Sequence, residues 1–289
     1  MKKTVLLLFT LIIVMTSFAQ SEKTLKRKVA IGRFTNETQY GKGLFYDRGS
    51  DPMGKQALDI LSSKLSASEK FILLERDGLD ELILESDDEM QKIGADYIIL
   101  GSITKFGRKT EGNSGFLTHT KTQTVEAGVS IRLVEVSTGL IIYSDEASGF
   151  AETTSKKTLG YGGSSPYDET LSDKAISAAL SQLVENIINK CMDNPWRGYV
   201  LSIEDGTYVI SGGKSQGIVE GDTFPLYKKG KMVKNPQTGM NVELPGTKLG
   251  TLTVMTCIGD TPESEISFCT YEGEEISAEE LSNYYILEK

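Results

Sequence analysis

The chain has 289 residues, is 39% hydrophobic and 25% charged, and carries a formal net charge of −9. That length holds one large domain or two modest ones, and the composition excludes a disordered chain. The acidic balance argues against nucleic acid, whose phosphates need lysine and arginine, and against electrostatic binding to an anionic membrane surface.

Residues 1–19 read as a secretory signal peptide. Lys2 and Lys3 form a positive leader, Val5 to Val14 is almost continuously apolar, and Ser17-Phe18-Ala19 is a small-x-small cleavage site. The apolar run falls short of the about 20 residues that a transmembrane helix needs. The mature chain then begins at Gln20, with 29 basic against 40 acidic residues and a net charge of −11. The cleavage site lacks a following cysteine, so a lipid anchor of the bacterial lipoprotein kind is not expected.

Val29 to Phe34, VAIGRF, reads as a first strand. Asp51-Pro52 resembles an N-cap with proline at the first helical position. Ala57, Leu58, Leu61 and Leu65 then share one face of a helix over Pro52 to Ser66. Phe71 to Leu74 is a second strand. Asp77 suits the N-cap of a second helix, with Leu79, Leu82 and Ile83 at i, i+3, i+4. Ala95 to Ile103 is an apolar, β-branched central strand. Val129 to Val136 alternates apolar and polar, Ser137-Thr138-Gly139 turns, and Leu140 to Tyr143 returns as a hairpin partner. A Gly/Ser-rich segment leads to a long helix over Leu171 to Met192, stopped by Asn194-Pro195. From Arg197 onward short strands are broken by glycine turns, with Asp205-Gly206 as a hairpin signal. Strand spacing there points to a small all-β domain of SH3-like or barrel type.

Cys191, Cys257 and Cys269 lack C-x-x-C spacing, so neither a zinc site nor a redox motif is supported. Cys257 and Cys269 fall on neighbouring predicted strands and could pair. The favoured reading is that all three are buried small hydrophobes, because spacing does not set connectivity.

The charged cluster Glu75, Arg76, Asp77, Asp80, Glu81 could supply paired carboxylates, but Asp80 and Glu81 face away from Leu79, Leu82 and Ile83. A solvated face with an acidic N-terminal turn that suits the helix dipole is the better reading. His119, the only histidine, sits in a polar Thr-rich stretch with nothing to orient it as a base. Gly160 to Ser165, GYGGSS, lacks the lysine and hydroxyl of a phosphate-binding loop and reads as a linker. The sequence therefore offers no catalytic, cofactor-binding or metal-ligating residue, and no cofactor.

The ordered set VAIGRF, FILLERDGLDELILES, GADYIILGSITKFG, VSIRLVEVSTGLIIYSDEASG and a long helix resembles the CsgG/HfaB family of envelope proteins, over Val29 to Cys191. GGKSQGIVEGDTFPLYKKG, NPQTG and LGTLTV resemble the C-terminal domain of flagellar assembly proteins of the FlgT type. The resemblance implies a fold of class α/β, a CsgG-like α/β sandwich over residues 20–194, followed by a small all-β (SH3-like) domain over 195–289. It implies a non-enzymatic, exported assembly or secretion component. Such a protein would sit in the periplasm or at the outer membrane, be a homo-oligomer, and have envelope proteins or secreted fibre subunits as partners. In the curli secretion member, two hairpins from each subunit join into one outer-membrane barrel.

Here the sequence departs from that channel. A membrane strand needs about 9–11 residues with an apolar face toward lipid. Thr118, Thr120, Thr122, Thr124 and Glu126 form one face of the first candidate hairpin; Leu117, His119, Lys121, Gln123 and Val125 form the other. The second candidate, ASGFAETTSKKTLGYGGSSPY, carries Glu152, Lys156 and Lys157 and is short for a full hairpin. A self-inserted pore is thus the alternative reading, and a secreted enzyme with an unrecognised site the second alternative.

Overall fold

The computed structural model describes residues 24–40, 51–75, 94–114, 118–158, 168, 170–237, 239 and 241–288. The signal-peptide region, the helix expected after Asp77 and the GYGGSS segment lie outside the described residues.

The first sheet has the order β2-β1-β3-β4-β5. Its strands are β1 (Arg27–Asn36), β2 (Phe71–Glu75), β3 (Tyr97–Ser114), β4 (Thr118–Glu135) and β5 (Ile141–Thr158). β1 runs parallel to both β2 and β3. β3, β4 and β5 are antiparallel neighbours, paired from Tyr97↔Glu135 to Ser114↔His119 with a register shift between Ile103 and Lys105, and from Val134↔Ile141 to Thr118↔Thr158 with a shift between Leu133 and Val134.

Two helices cover one face, α1 (Pro52–Ala67) and α2 (Thr170–Met192). α1 starts where Asp51 places it: Oδ1 accepts from the Gly54 amide at 2.9 Å, and Oδ2 accepts from the Asn36 amide at 2.6 Å. The same carboxylate therefore caps the helix and ties it to the end of β1. Ala57, Leu58, Leu61 and Leu65 of α1 and Ala175, Ile176, Ala179, Leu180, Leu183 and Ile187 of α2 close over Val29, Ile31, Ile99, Ile131 and Leu133. Strand-rich α/β architecture is thus what the chain adopts.

A seven-stranded sheet follows, in the order β6-β14-β9-β12-β13-β8-β7. These are β6 (Arg197–Gly198), β7 (Val200–Glu204), β8 (Thr207–Ser211), β9 (Thr223–Lys228), β12 (Thr247–Ile258), β13 (Ile266–Gly273) and β14 (Tyr284–Leu287). Between β9 and β12, β10 (Met232–Lys234) and β11 (Asn241–Glu243) form a separate two-stranded sheet. The region is not wholly strand and turn: 3₁₀ helices occupy Lys214–Gln216 and Ala278–Asn283. Its core holds Trp196, Ile210, Phe224, Leu226, Leu252, Cys269 and Ile286.

Leu25, which precedes β1, is packed in this second core and not in the first. Arg27 secures the crossing. Its guanidinium donates to the carbonyls of Leu25 (2.7 Å) and Asn194 (2.9 Å) and pairs with Glu288 at 2.9 Å. Glu288 also accepts from the amides of Leu25 and Trp196.

The cysteines are all free. Cys191 and Cys269 are buried, but Cys257 is only half-buried, which departs from the expectation for it. Strand register sets Cys257 opposite Ser267 and Cys269 opposite Val254. Ser267 Oγ donates to Cys257 Sγ at 3.2 Å.

Candidate functional site: a polar three-stranded blade

β3, β4 and β5 each contain 18 residues, which at about 3.3 Å per residue is roughly 60 Å of extended chain. The apolar runs mark only the helix-covered parts of these strands. β3 continues past Ile103 to Ser114, β4 begins at Thr118 and not at Val129, and β5 continues past Tyr143 to Thr158. The extension is one continuous three-stranded ladder, so β4 pairs its backbone on both sides without needing an apolar face.

Near the helices, alternation decides which side is covered. Val125, Ala127, Val129, Ile131 and Leu133 are buried under α1 and α2. The closest approach is at Gly149, where a Cβ would stand 2.0 Å from the Ala175 carbonyl oxygen and 2.4 Å from the Ala179 amide. Toward the N-terminal end of α2 the contacts turn polar. Gln123, 1% exposed, accepts from the Asp168 amide through Oε1 at 3.1 Å. Arg108 donates to Ser172 Oγ at 2.9 Å, and its guanidinium lies 4.5 Å from the Tyr40 ring centre and 5.4 Å from that of Phe106. A cation over two rings and one hydroxyl holds the base of the blade.

Beyond this point β3 is exposed from Gly107 to Asn113. The face turned away from α1 and α2 is laced by polar pairs: Lys105 with Glu126, Thr104 with Glu146, and Thr122 with Thr154. Phe150, 62% exposed, is a large apolar residue on that face of β5, as is Ile141 at the strand's start, 55% exposed. Among the described residues the blade carries no apolar band; its distal faces are threonine, lysine, glutamate and glutamine. At its inner end, Tyr143 Oη donates to Asp145 Oδ2 at 2.6 Å, which holds the Asp145 carboxyl below its usual range.

β5 lies at the edge of the sheet. Eighteen residues of edge are a long template for another strand, and most proteins blunt such an edge. Here Glu146, Glu152 and Lys156 give it charge.

Of the residues weighed as chemistry in the sequence, Glu75 closes β2, while Arg76, Asp77, Asp80 and Glu81 lie outside the described residues. His119 is exposed near the tip of the β3–β4 hairpin, opposite Ser114. Among the described residues no group of three or more His, Cys, Asp or Glu could hold a metal ion, and no helix is long and apolar enough to cross a membrane. An open groove of about 380 Å³ between α1 and α2 is lined by Asp59, Ile60, Ser63, Lys64 and Ser177.

The family described as curli production assembly/transport component CsgG matches residues 13–221, a span that takes in the first sheet, both helices and the blade. The chain belongs to the CsgG family. A relative from Neisseria meningitidis serogroup B, named "Putative lipoprotein NMB1126/NMB1164", is 33% identical over 175 residues, covering 58% of this chain and 78% of that protein. Among solved structures, a PelC dodecamer from Paraburkholderia phytofirmans is 15% identical, with a TM-score of 0.27, over 57% of this chain and 92% of that one. Lipoprotein GNA1162 from Neisseria meningitidis is 15% identical, with a TM-score of 0.29, over 58% and 99%. Scores this low transfer neither an assembly nor a site. The CsgG match ends at Gly221, before β9, so most of the seven-stranded sheet lies beyond it.

Proposed function

We propose that this CsgG-family chain is an exported, non-enzymatic component of envelope assembly or secretion, working as a homo-oligomer in the periplasm at the inner face of the outer membrane. Cleavage near Ala19 would release it there. The observation that carries the reading is the blade: three paired 18-residue strands, polar on both distal faces and open along β5. A long ordered edge of this kind suits strand addition by a neighbouring subunit or an envelope protein. The family description, assembly and transport, supports a role without catalysis. A β-rich second domain at 195–289, of SH3-like type, would sit beside the ring and present a further surface.

The test is the mass of the mature chain, in buffer and in detergent, together with fractionation of cells. A defined soluble oligomer in the envelope fraction is expected. A strict monomer that crosslinks to no envelope protein would sink the proposal.

A second reading, a secretion channel, gains from strand length. Each blade strand has 18 residues, more than the about 9–11 that cross a bilayer. It loses from charge, because lysine on a lipid-facing strand costs about 2–4 kcal/mol near the midplane. Ion conductance in planar bilayers from protein that is extracted only by detergent would favour the channel.

A further inference from the structure

The net charge of the chain hides a local reversal. Residues 228–248, from the end of β9 to the start of β12, hold five lysines (Lys228, Lys229, Lys231, Lys234 and Lys248) and one acid, Glu243. The mature chain as a whole is at −11. Among the described residues none of these lysines is in an ion pair. The segment lies beyond the CsgG match.

Its middle is the β10–β11 ribbon, which pairs only with itself through Met232↔Glu243, Val233↔Val242 and Lys234↔Asn241. Three of its aliphatic side chains are in solvent: Met232 at 54%, Val242 at 46% and Leu244 at 43% exposure. A two-stranded ribbon is marginal on its own in water, yet this one has a built base. Gly230 lies so close to the Leu244 carbonyl that a Cβ would stand 1.7 Å from its oxygen, and Gly246 is pressed against the Tyr285 hydroxyl and the Lys228 carbonyl. The Lys229 amide donates to Asn283 at 2.7 Å. Tyr285 is stacked on Tyr227 and carries the Arg197 guanidinium at 3.9 Å. The arm is therefore anchored at its root and unpartnered along its length.

We infer that the β10–β11 arm docks on an anionic lipid surface. Point charges on long aliphatic stems reach lipid phosphates while the stems, with Val242 and Leu244 on the ribbon face turned away from Met232 and Glu243, lie along the apolar boundary. A protein partner is the weaker match, because protein interfaces are depleted in lysine and favour arginine, and residues 228–248 hold five lysines and no arginine. The inference rests on the envelope location proposed above, which brings the arm to such a surface.

The mature chain is sedimented with vesicles of phosphatidylglycerol mixed into phosphatidylcholine, and with vesicles of phosphatidylcholine alone. Binding is expected only to the anionic vesicles and should weaken with added salt. The exposed-charge variant K231E/K234E/K248E should lose about tenfold or more of that partitioning. V242S/L244S should lose less while keeping the salt dependence. Equal binding to neutral vesicles, no binding, or binding unchanged in both variants would overturn the inference. So would a fall in oligomer mass in the charge variant without a change in vesicle binding, which would assign the arm to a second copy of the chain. Cell fractionation separates the two readings: a wild-type chain found in the envelope that ignores anionic vesicles defeats only the arm, whereas one that binds vesicles but is absent from the envelope defeats only the location.

Discussion

Gly149 shows how little room one residue leaves. The backbone of α2 passes over it at Ala175 and Ala179, and any Cβ would meet the helix backbone well inside van der Waals contact. The helix cannot retreat without opening the core under Ala175, Ile176 and Ala179. Gly149→Val should therefore lower stability by about 3 kcal/mol, read as a drop in the urea midpoint. Gly107→Ala on the exposed part of β3, where a Cβ meets nothing within 4 Å, should leave that midpoint within about 0.5 kcal/mol of wild type.

The thiols give a second residue-scale prediction. Burial pushes Cys191 and Cys269 up to about 12. Both stay protonated and shielded in the folded chain, so a thiol reagent at pH 8 should modify only the half-buried Cys257, and all three after denaturation. The sign of the pH dependence follows from the raised values. The unfolded thiols ionise near 9, so stability is fully present below about that pH and is lost as pH rises toward 12. Urea midpoints measured across that range should fall, and Cys191→Ser should make the fall shallower. A flat profile would show that neither thiol is held as described.

At the scale of elements, α1 was legible almost to the residue. Asp51-Pro52 and the Ala57, Leu58, Leu61, Leu65 spacing mark a helix that the structure runs from Pro52 to Ala67. Capping motifs and helical periodicity are local signals, and tertiary packing had no reason to override them here. The capping carboxylate does more than the pattern shows, since it also accepts from Asn36. Asp51→Ala should cost about 2 kcal/mol, the upper end for a lost cap, whereas Asp51→Asn should recover part of it; calorimetric midpoints of the two variants decide. The blade was legible only in half. Its covered part follows from apolar alternation in Val129, Ile131 and Leu133. Its distal part, THTKTQT against ETTSKKT, has no apolar face, and what makes it strand is the pairing of β4 with β3 and β5, which no single segment displays. The polarity of the hairpin was readable from residues; its length and the open β5 edge were not. The basic arm was missed for a related reason: a sum over the chain cancels five lysines against acids that lie elsewhere.

At the scale of the whole molecule, the two cores are joined by residues that the sequence gives no cause to associate. Leu25 and Glu288 are 263 positions apart, yet the amide of one meets the carboxylate of the other. Arg27 is 4% exposed at its side chain and Glu288 13%, so the pair is taken out of water with most of its hydrogen bonds made inside the protein. Arg27 Nε is buried with no partner, which shows that the site is held by the carboxylate and two carbonyls and not by full satisfaction of the guanidinium. Removing one charge leaves the other buried and uncompensated, a loss of about 3–5 kcal/mol, whereas replacing both with apolar groups of similar size is often near neutral. Glu288→Ala should accordingly lower the urea midpoint sharply, and it should also separate unfolding of the seven-stranded sheet from that of the helix-covered sheet. Arg27→Met with Glu288→Leu should restore most of the midpoint. Tryptophan fluorescence reports the second core through Trp196, the only tryptophan, and far-ultraviolet circular dichroism reports α1 and α2. In wild type the two signals should change together. In Glu288→Ala the fluorescence should change first, because Trp196 loses the carboxylate that accepts its amide. Coincident curves in that variant, at an unchanged midpoint, would mean that the apolar packing of Leu25 alone couples the two cores.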